Sequence, residues 1–291
     1  MQRNILVTGG NGQLGLSLKK MTDSYAGYRF IYTDINELDV TDYDALQRFF
    51  RLENPYAVLH FAAYTAVDNA EKERLQAEKV NSLSTKLISS LCGTYGTKLI
   101  FISTDYVFDG KKSSPYKPQD KTNPLSVYGT TKARAEEYAL SLCEDCTVIR
   151  TSWLYSEFGR NFVKTILNLS ETKRELKVVF DQTGSPCYAE DLAKAVLMCL
   201  ERVKGKRILH FANEGVCSWY DFARKIVELS GNECRVNAIL SEQYPTLAAR
   251  PSYSVLDKSE TKSFLDMEIP HWEDSLKRCI KILKDEKIHK H

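Results

Sequence analysis

Three glycines, Gly9, Gly12 and Gly15, stand directly behind the short apolar run Ile5-Leu6-Val7, and this juxtaposition restricts the chain more than any other feature. A β-rich run that stops at glycines and passes into helical periodicity near Gln13 reads as strand, tight turn and helix. Such a turn lets the backbone approach a pyrophosphate at the helix start, which makes Gly9, Gly12, Gln13, Leu14 and Gly15 candidate cofactor contacts. Isolated glycines also serve as ordinary turns. Here the next apolar run ends in Asp34, a carboxylate placed to accept from an adenosine ribose hydroxyl.

The alternation continues along the first half of the chain. Strand patterns at residues 4–8, 30–34, 57–61, 98–103 and 147–151 alternate with helical patterns from about 13 and at 42–52, 70–95 and 127–142. This order predicts an α/β fold, a Rossmann-type, doubly wound parallel sheet with helices on both faces. Ligands of such sheets lie at the carboxyl ends of the strands, so the glycine loop and residues 62–68, 104–110 and 151–155 should meet at one crevice. Beyond Tyr155 helical patterns at about 161–169, 189–203, 219–229 and 271–283 mix with strand patterns at 177–180 and 207–211 and a loop at 247–254. The expected division is a nucleotide-binding domain over 1–152, completed by 189–213, and a smaller C-terminal α/β substrate lobe from 153–188 and 214–291. Residues 284–291, rich in Lys and His, read as a frayed terminus.

The 291 residues, 43% of them hydrophobic, suffice for a large core and a second lobe. Forty basic against 38 acidic residues leave a net charge of +2, too balanced for a nucleic-acid or membrane-surface footprint. No apolar stretch approaches the length of a membrane span, and no signal peptide fits before the first glycines, so a cytoplasmic protein is expected. The eight cysteines are scattered, as befits reduced, buried thiols. Cys143-Glu144-Asp145-Cys146 lacks a second ligand pair at zinc spacing, and no metal site is expected.

Downstream, Tyr128-Gly129-Thr130-Thr131-Lys132 follows the turn Thr122-Asn123-Pro124 at the start of a helix. Residues four apart share a helical face, so the Lys132 ammonium can lower the pKa of the Tyr128 phenol, ordinarily about 10, and hold a nicotinamide ribose. Thr104, at the end of the fourth strand, offers a hydroxyl to a substrate carbonyl beside Tyr128. Ala62 and Ala63 leave room for a cofactor next to the third strand, and Asp39 and Val40 either flank an adenine or belong to a helix cap. Thr65 and Asp68 are polar groups at the crevice mouth, although Asp68 also suits the cap of a helix starting near Ala70.

These segments, together with Ser103-Thr104-Asp105-Tyr106-Val107-Phe108-Asp109-Gly110, Arg150-Thr151-Ser152-Trp153-Leu154-Tyr155, Phe180-Asp181-Gln182-Thr183-Gly184-Ser185-Pro186 and Ala249-Arg250-Pro251, resemble the extended short-chain dehydrogenase/reductase family. Within it they are most similar to the reductases of keto-sugar nucleotides, over nearly the whole chain. The resemblance implies reduction of dTDP-4-dehydro-6-deoxy-L-mannose to dTDP-L-rhamnose by NADPH or NADH. It implies Tyr128 as proton donor, Lys132 as its electrostatic partner and Thr104 as the tuning hydroxyl. It also implies contacts of Thr65, Val67, Thr104, Asp105 and Trp153 with the dTDP-sugar, and Arg250 near its diphosphate. A dehydratase would carry an acid/base pair after the threonine, where Asp105 is followed here by Tyr106. An epimerase, or a regulatory subunit resembling the methionine adenosyltransferase β subunit, is a further alternative within the same resemblance. Cys187 stands where many relatives have threonine. Ser17 replaces an acidic residue that some relatives use, with groups corresponding to Glu190 and an acidic residue near the C-terminus such as Glu286, to bridge a dimer through magnesium. A monomer or weak homodimer is therefore expected.

Overall fold

The computed structural model describes residues 2–288. The first half runs β1 (Arg3–Thr8), α1 (Gln13–Lys19), β2 (Tyr28–Thr33), α2 (Tyr43–Glu53), β3 (Ala57–His60), α3 (Val67–Ala70), α4 (Arg74–Ala77), α5 (Ser84–Tyr95), β4 (Lys98–Thr104), α6 (Val127–Leu142) and β5 (Cys146–Thr151). It continues with β6 (Leu154–Tyr155), α7 (Phe162–Thr172), β7 (Glu175–Val179), β8 (Thr183–Gly184), β9 (Cys187–Tyr188), α8 (Ala189–Arg202) and β10 (Arg207–Phe211). The remainder is β11 (Cys217–Ser218), α9 (Trp219–Ser230), β12 (Arg235–Ile239), α10 (Ser259–Leu265) and α11 (Trp272–Ile288).

Six strands form one parallel sheet in the order β10-β5-β4-β3-β1-β2, an α/β doubly wound arrangement. Both faces are covered, which is why the strands read as continuous apolar runs. Ile5, Val7, Leu59 and Ile100 point to the side of α1 and α8, while Leu6, Val58, Leu99, Phe101 and Val148 meet α2, α5 and α6. The register sets Thr8 opposite Thr33 and His60, and Thr104 opposite Thr151. The carboxyl ends of the strands thus line up along one edge. A separate core, with Val163, Ile166, Phe222, Ile226, Leu276 and Ile280, gathers α7, α9 and α11. The segment 248–257 ties the two parts together: Tyr116 N–H donates to Val255 O and Asp257 N–H to Tyr116 O, each at 2.8 Å.

Several elements differ from the sequence expectation. The single helix expected over 70–95 is broken into α3, α4, a π-helical segment Glu78–Leu83 and α5. A π turn is stabilised by what its side chains reach, and helical periodicity alone does not reveal it. Asp68 lies within α3, and its carboxylate serves Arg250 and Ala248 rather than capping a helix. Strand β12 pairs with β7 over five positions and was not anticipated, because Arg235–Ile239 is half-exposed and weakly patterned. Residues 284–288 continue α11 instead of fraying, with Lys284 Nζ donating to Leu229 O at 2.9 Å; 289–291 lie outside the described residues. Among the described residues no helix is long and apolar enough to cross a membrane.

Helix α6 is fixed to the sheet by buried charge. Arg150 on β5 donates to Glu136 through Nε at 2.9 Å and Nη2 at 2.7 Å, and its Nη1 donates to Pro118 O at 3.0 Å. Ser103 Oγ of β4 donates to the same carboxylate. Removing one member of such a pair leaves the other buried and unpaired. Glu136→Gln is expected to cost about 3 kcal/mol, read as a lower midpoint in urea unfolding. An unchanged midpoint would show that the pair does not hold α6.

Candidate functional site

A cavity of about 800 Å³ opens along the carboxyl ends of the strands. Its walls include the glycine loop, the ends of β2 to β5, the start of α6, Trp219 and Arg250. Every residue singled out from the sequence for cofactor, substrate or proton transfer borders it: Gly9, Gly12, Gln13, Leu14, Gly15, Asp34, Asp39, Val40, Ala62, Ala63, Thr65, Val67, Thr104, Asp105, Tyr128, Lys132, Trp153 and Arg250.

At the glycine end the backbone leaves no room for side chains. Gly9 has φ +66°, and a Cβ there would stand 2.7 Å from Ala62 N. At Gly15 it would stand 2.6 Å from Gly9 O. Gln13 faces the other wall, its Oε1 accepting from Ser156 Oγ at 3.1 Å and Asn161 Nδ2 at 2.9 Å. The Asp34 carboxylate accepts from Asn11 N at 3.2 Å and Ile35 N at 2.9 Å, which fixes it beside the loop. Ile35, Leu38 and Val40 supply an apolar wall next to it. Asp39 accepts from the hydroxyl and the N–H of Thr41, which hold its carboxyl below the usual range, while the N-cap of α2 is Asp42.

At the other end Ser126 caps α6 by accepting from Gly129 N at 3.1 Å, and this sets Tyr128 on the first turn. Gly129 packs so tightly on Tyr106 O that no Cβ fits. Burial raises the Tyr128 phenol above its ordinary value, with a hydrogen bond from the Thr104 hydroxyl pulling the other way. Thr104 Oγ1 also lies 3.1 Å from Asp105 Oδ1 and accepts from Tyr106 N at 3.2 Å. Lys132 is buried, and desolvation drives it down to about 7, against the attraction of Glu136. Its ammonium donates to Ile102 O at 2.6 Å and stands 4.0 Å from the Phe101 ring centre. The sequence suggests that Lys132 acidifies the phenol; in the structure its ammonium is turned to the strand carbonyl of Ile102.

The third wall is aromatic and cationic. Trp153 adopts φ +45°, rare for a bulky residue, and stacks on Trp219 with ring centres 3.6 Å apart and planes at 9°. Gly184 makes this possible, since a Cβ there would meet Trp153 at 2.7 Å. Arg250 Nη2 donates to Asp68 Oδ2 at 2.8 Å, and Ala248 N to Asp68 Oδ1 at 3.1 Å. Sequence reasoning missed Trp219, Asn81 and the partnership of Asp68 with Arg250. Asn81, in the π segment, accepts from Tyr64 N at 2.7 Å and donates to Thr131 Oγ1 at 3.0 Å, joining the loop after β3 to α6. The sequence signal for Trp219 is its place directly after the helix cap Ser218. The eight cysteines are free thiols, all buried except the half-buried Cys234.

The model of the RmlD substrate binding domain family matches residues 3–285. A Bacillus subtilis spore coat polysaccharide biosynthesis protein is 39% identical, over 95% of this chain and 96% of its own. The dTDP-4-dehydrorhamnose reductase of Aggregatibacter actinomycetemcomitans is 38% identical, over 94% and 97%. Among solved structures, the Bacillus anthracis dTDP-4-dehydrorhamnose reductase in complex with NADP superposes with a TM-score of 0.93 at 34% identity, covering 97% of this chain and 99% of that one. With this match running through both halves of the cavity wall, the chain belongs to the dTDP-4-dehydrorhamnose reductase family.

Proposed function

We propose that the protein reduces the 4-keto group of dTDP-4-dehydro-6-deoxy-L-mannose to give dTDP-L-rhamnose, with NADPH or NADH as reductant. The observation that carries this reading is that Thr104, Tyr128 and Lys132 line one end of a cavity whose other end is a glycine cradle. The cradle fits a dinucleotide, since Gly9 and Gly15 have space for backbone alone and Asp34 is held where a ribose hydroxyl can donate to it. When bound, the nicotinamide supplies a hydride. Tyr128 gives its phenolic proton to the keto oxygen, and Thr104 donates to the oxygen that develops negative charge. Lys132, one helical turn on, is the cation that holds the ribose and stabilises the phenolate. Thr65, Val67, Asp105 and Trp153 line the sugar-nucleotide side, and Arg250 is the cation suited to the diphosphate.

The same side chains argue against the alternatives. Elimination of water needs a base after Asp105, but Tyr106 is a half-buried phenol pushed up to about 12. The complete set of Thr104, Tyr128 and Lys132 favours turnover over a non-catalytic subunit. The proposed division is a nucleotide-binding domain over 1–152 completed by 189–213, supported by β10 lying beside β5, and a substrate lobe over 153–188 and 214–291. A cytoplasmic location accords with a soluble nucleotide-sugar substrate.

We also propose a monomer or weak homodimer without a magnesium bridge. Ser17 is buried in α1 and offers only a hydroxyl, and Glu190 is already paired with Lys20 at 3.4 Å, Arg278 at 3.4 Å and Lys194 at 3.7 Å. Magnesium relies on carboxylates to displace its tightly held waters, and here cations occupy one.

The reading is tested by following NADPH oxidation on adding the keto-sugar nucleotide. Tyr128→Phe should lower turnover by about 10²–10⁴-fold while cofactor binding, followed by fluorescence titration, persists; near-normal turnover would remove Tyr128 as the acid. Asp34 would repel a 2′-phosphate, and no arginine stands in the glycine loop to offset it. NADH should therefore support appreciable turnover beside NADPH in steady-state comparison, and complete inactivity with NADH would show that Asp34 does not read the ribose. Sedimentation velocity at micromolar protein should give one mass with millimolar magnesium and with chelator. A dimer lost only on chelation would establish the bridge.

A further inference from the structure

Among the described residues three cations line the cavity: Lys132, Arg250 and Arg160. Two of them are already engaged. The Lys132 ammonium donates to Ile102 O, and Arg250 is held by Asp68. Arg160 is exposed, and among the described residues its guanidinium has neither an ion-pair partner nor a hydrogen bond. An unpaired arginine on open surface would need no assignment. This one belongs to a loop built against the glycine cradle.

The loop 156–161 follows β6 and is fastened to α1 at two places. At the start of α1, Gln13 Oε1 accepts from Ser156 Oγ at 3.1 Å and from Asn161 Nδ2 at 2.9 Å. Just past its end, Lys20 Nζ donates to Glu157 Oε1 at 2.6 Å, and the other oxygen of that buried carboxylate accepts from the Tyr188 hydroxyl at 3.0 Å. Within the loop Asn161 Nδ2 donates to Ser156 O at 2.8 Å, and Lys164 Nζ donates to Glu157 O at 3.0 Å. Gly159 has φ +61°, and a Cβ there would stand 3.4 Å from Gln13 Cγ. The backbone on both sides of Arg160 is thus fixed beside the glycine loop, while its side chain stays unengaged at the cavity wall.

Charge balance shows what such a side chain is suited to. A dinucleotide and a dTDP-sugar each bring a diphosphate into the cavity, and Arg250, paired with Asp68, is the cation suited to the sugar nucleotide. The cradle admits a pyrophosphate by close approach of backbone. It has no cation of its own, because residues 9–15 are only Gly, Asn, Gln and Leu. Nor is Arg160 neutralised by the carboxylates on this side: Glu157 is taken by Lys20 and Tyr188, and Asp34 accepts from the N–H groups of Asn11 and Ile35. A guanidinium is a planar fork of donors that matches phosphate oxygens.

We propose that Arg160 binds the pyrophosphate of the cofactor, meeting it from the substrate lobe while the glycine loop supports it from the other side. The inference rests on the keto-reductase reading above. Its consequence is that the cofactor is gripped by two parts of the chain, α1 with its loop and the segment after β6, which Gln13 already joins.

Calorimetric titration of Arg160→Gln with NADH, with NADPH and with dTDP, each alone, tests it without turnover. NADH and NADPH should each bind about 10-fold more weakly than to the unaltered protein, and dTDP as it does to the unaltered protein. Unchanged affinity for NADH would overturn the assignment. So would a loss confined to NADPH, which would put Arg160 on the 2′-phosphate, or a loss that extends to dTDP, which would put it on the sugar nucleotide or in the fold. A second measurement needs no variant: attraction between an exposed guanidinium and a pyrophosphate is screened by ions. The affinity of the unaltered protein for NADH should therefore weaken as salt rises, and an affinity independent of salt would overturn the assignment as well. No binding of either cofactor by the unaltered protein would overturn the reductase reading and the assignment with it, whereas cofactor binding that Arg160→Gln leaves unchanged overturns the assignment alone.

Discussion

Helix α6 carries Tyr128 and Lys132, and strands β4 and β5 carry Thr104 and Trp153's approach to the cavity, so the site exists only while the helix keeps its register on the sheet. The Glu136 carboxylate fixes that register. It takes the Arg150 guanidinium in a two-pronged contact and the Ser103 hydroxyl beside it, all within the buried layer. Such a fork is directional in a way that apolar packing is not, because a shift of one residue would break both bonds. At the other end of the helix the contact of Gly129 with Tyr106 O sets depth where Glu136 sets register. Arg150 also reaches Pro118 O, which draws the long connection before α6 into the same network.

With geometry fixed in this way, desolvation governs the chemistry. Tyr128 is raised, Tyr106 is pushed up to about 12, Lys132 is brought down to about 7 and Asp105 up to about 6, each with burial as the largest cause. Each shift favours the neutral form. His60, brought down to about 3, behaves alike and stays uncharged between Thr8 and Thr85. Little formal charge is thus left around Tyr128 and Thr104, whereas the carboxylates of Asp34 and Asp39 lie towards the glycine end of the cavity. Positive charge is held at the rim, on Arg250, where an anionic diphosphate is met by an ion pair that can exchange partners.

Much of the cavity wall was legible in the sequence because a parallel sheet sends all its carboxyl ends to one edge. Once strands are placed by their apolar runs, the glycine loop, Asp34, Ala62, Thr104 and Trp153 must face one crevice, and helical spacing puts Tyr128 and Lys132 on one face. What the sequence hid depends on contacts between distant residues. Asp68 reads as a helix cap until Arg250, 182 residues away, is brought to it. The π segment reads as plain helix because Asn81 gains its meaning from Tyr64 and Thr131. The direction of the Lys132 ammonium depends on Ile102 O, a backbone atom that no side-chain pattern records.

The second half of the chain supplies few side chains to the cavity, yet it holds them under strain. Trp153 in the left-handed region costs on the order of 1–3 kcal/mol, and its stack on Trp219 and the gap at Gly184 hold it there. Strain persists only where surrounding contacts over-determine a conformation. Here they do: Thr183 N donates to Ser252 O and Ser254 N to Thr183 O at 2.8 Å, so the segment bearing Arg250 and Ser254 is stitched to the strand that bears Gly184. The same segment pairs with Tyr116 in the first half. One continuous run of backbone bonds therefore links the tryptophan wall, the Arg250 rim and the Ser254 hydroxyl beside Asp105.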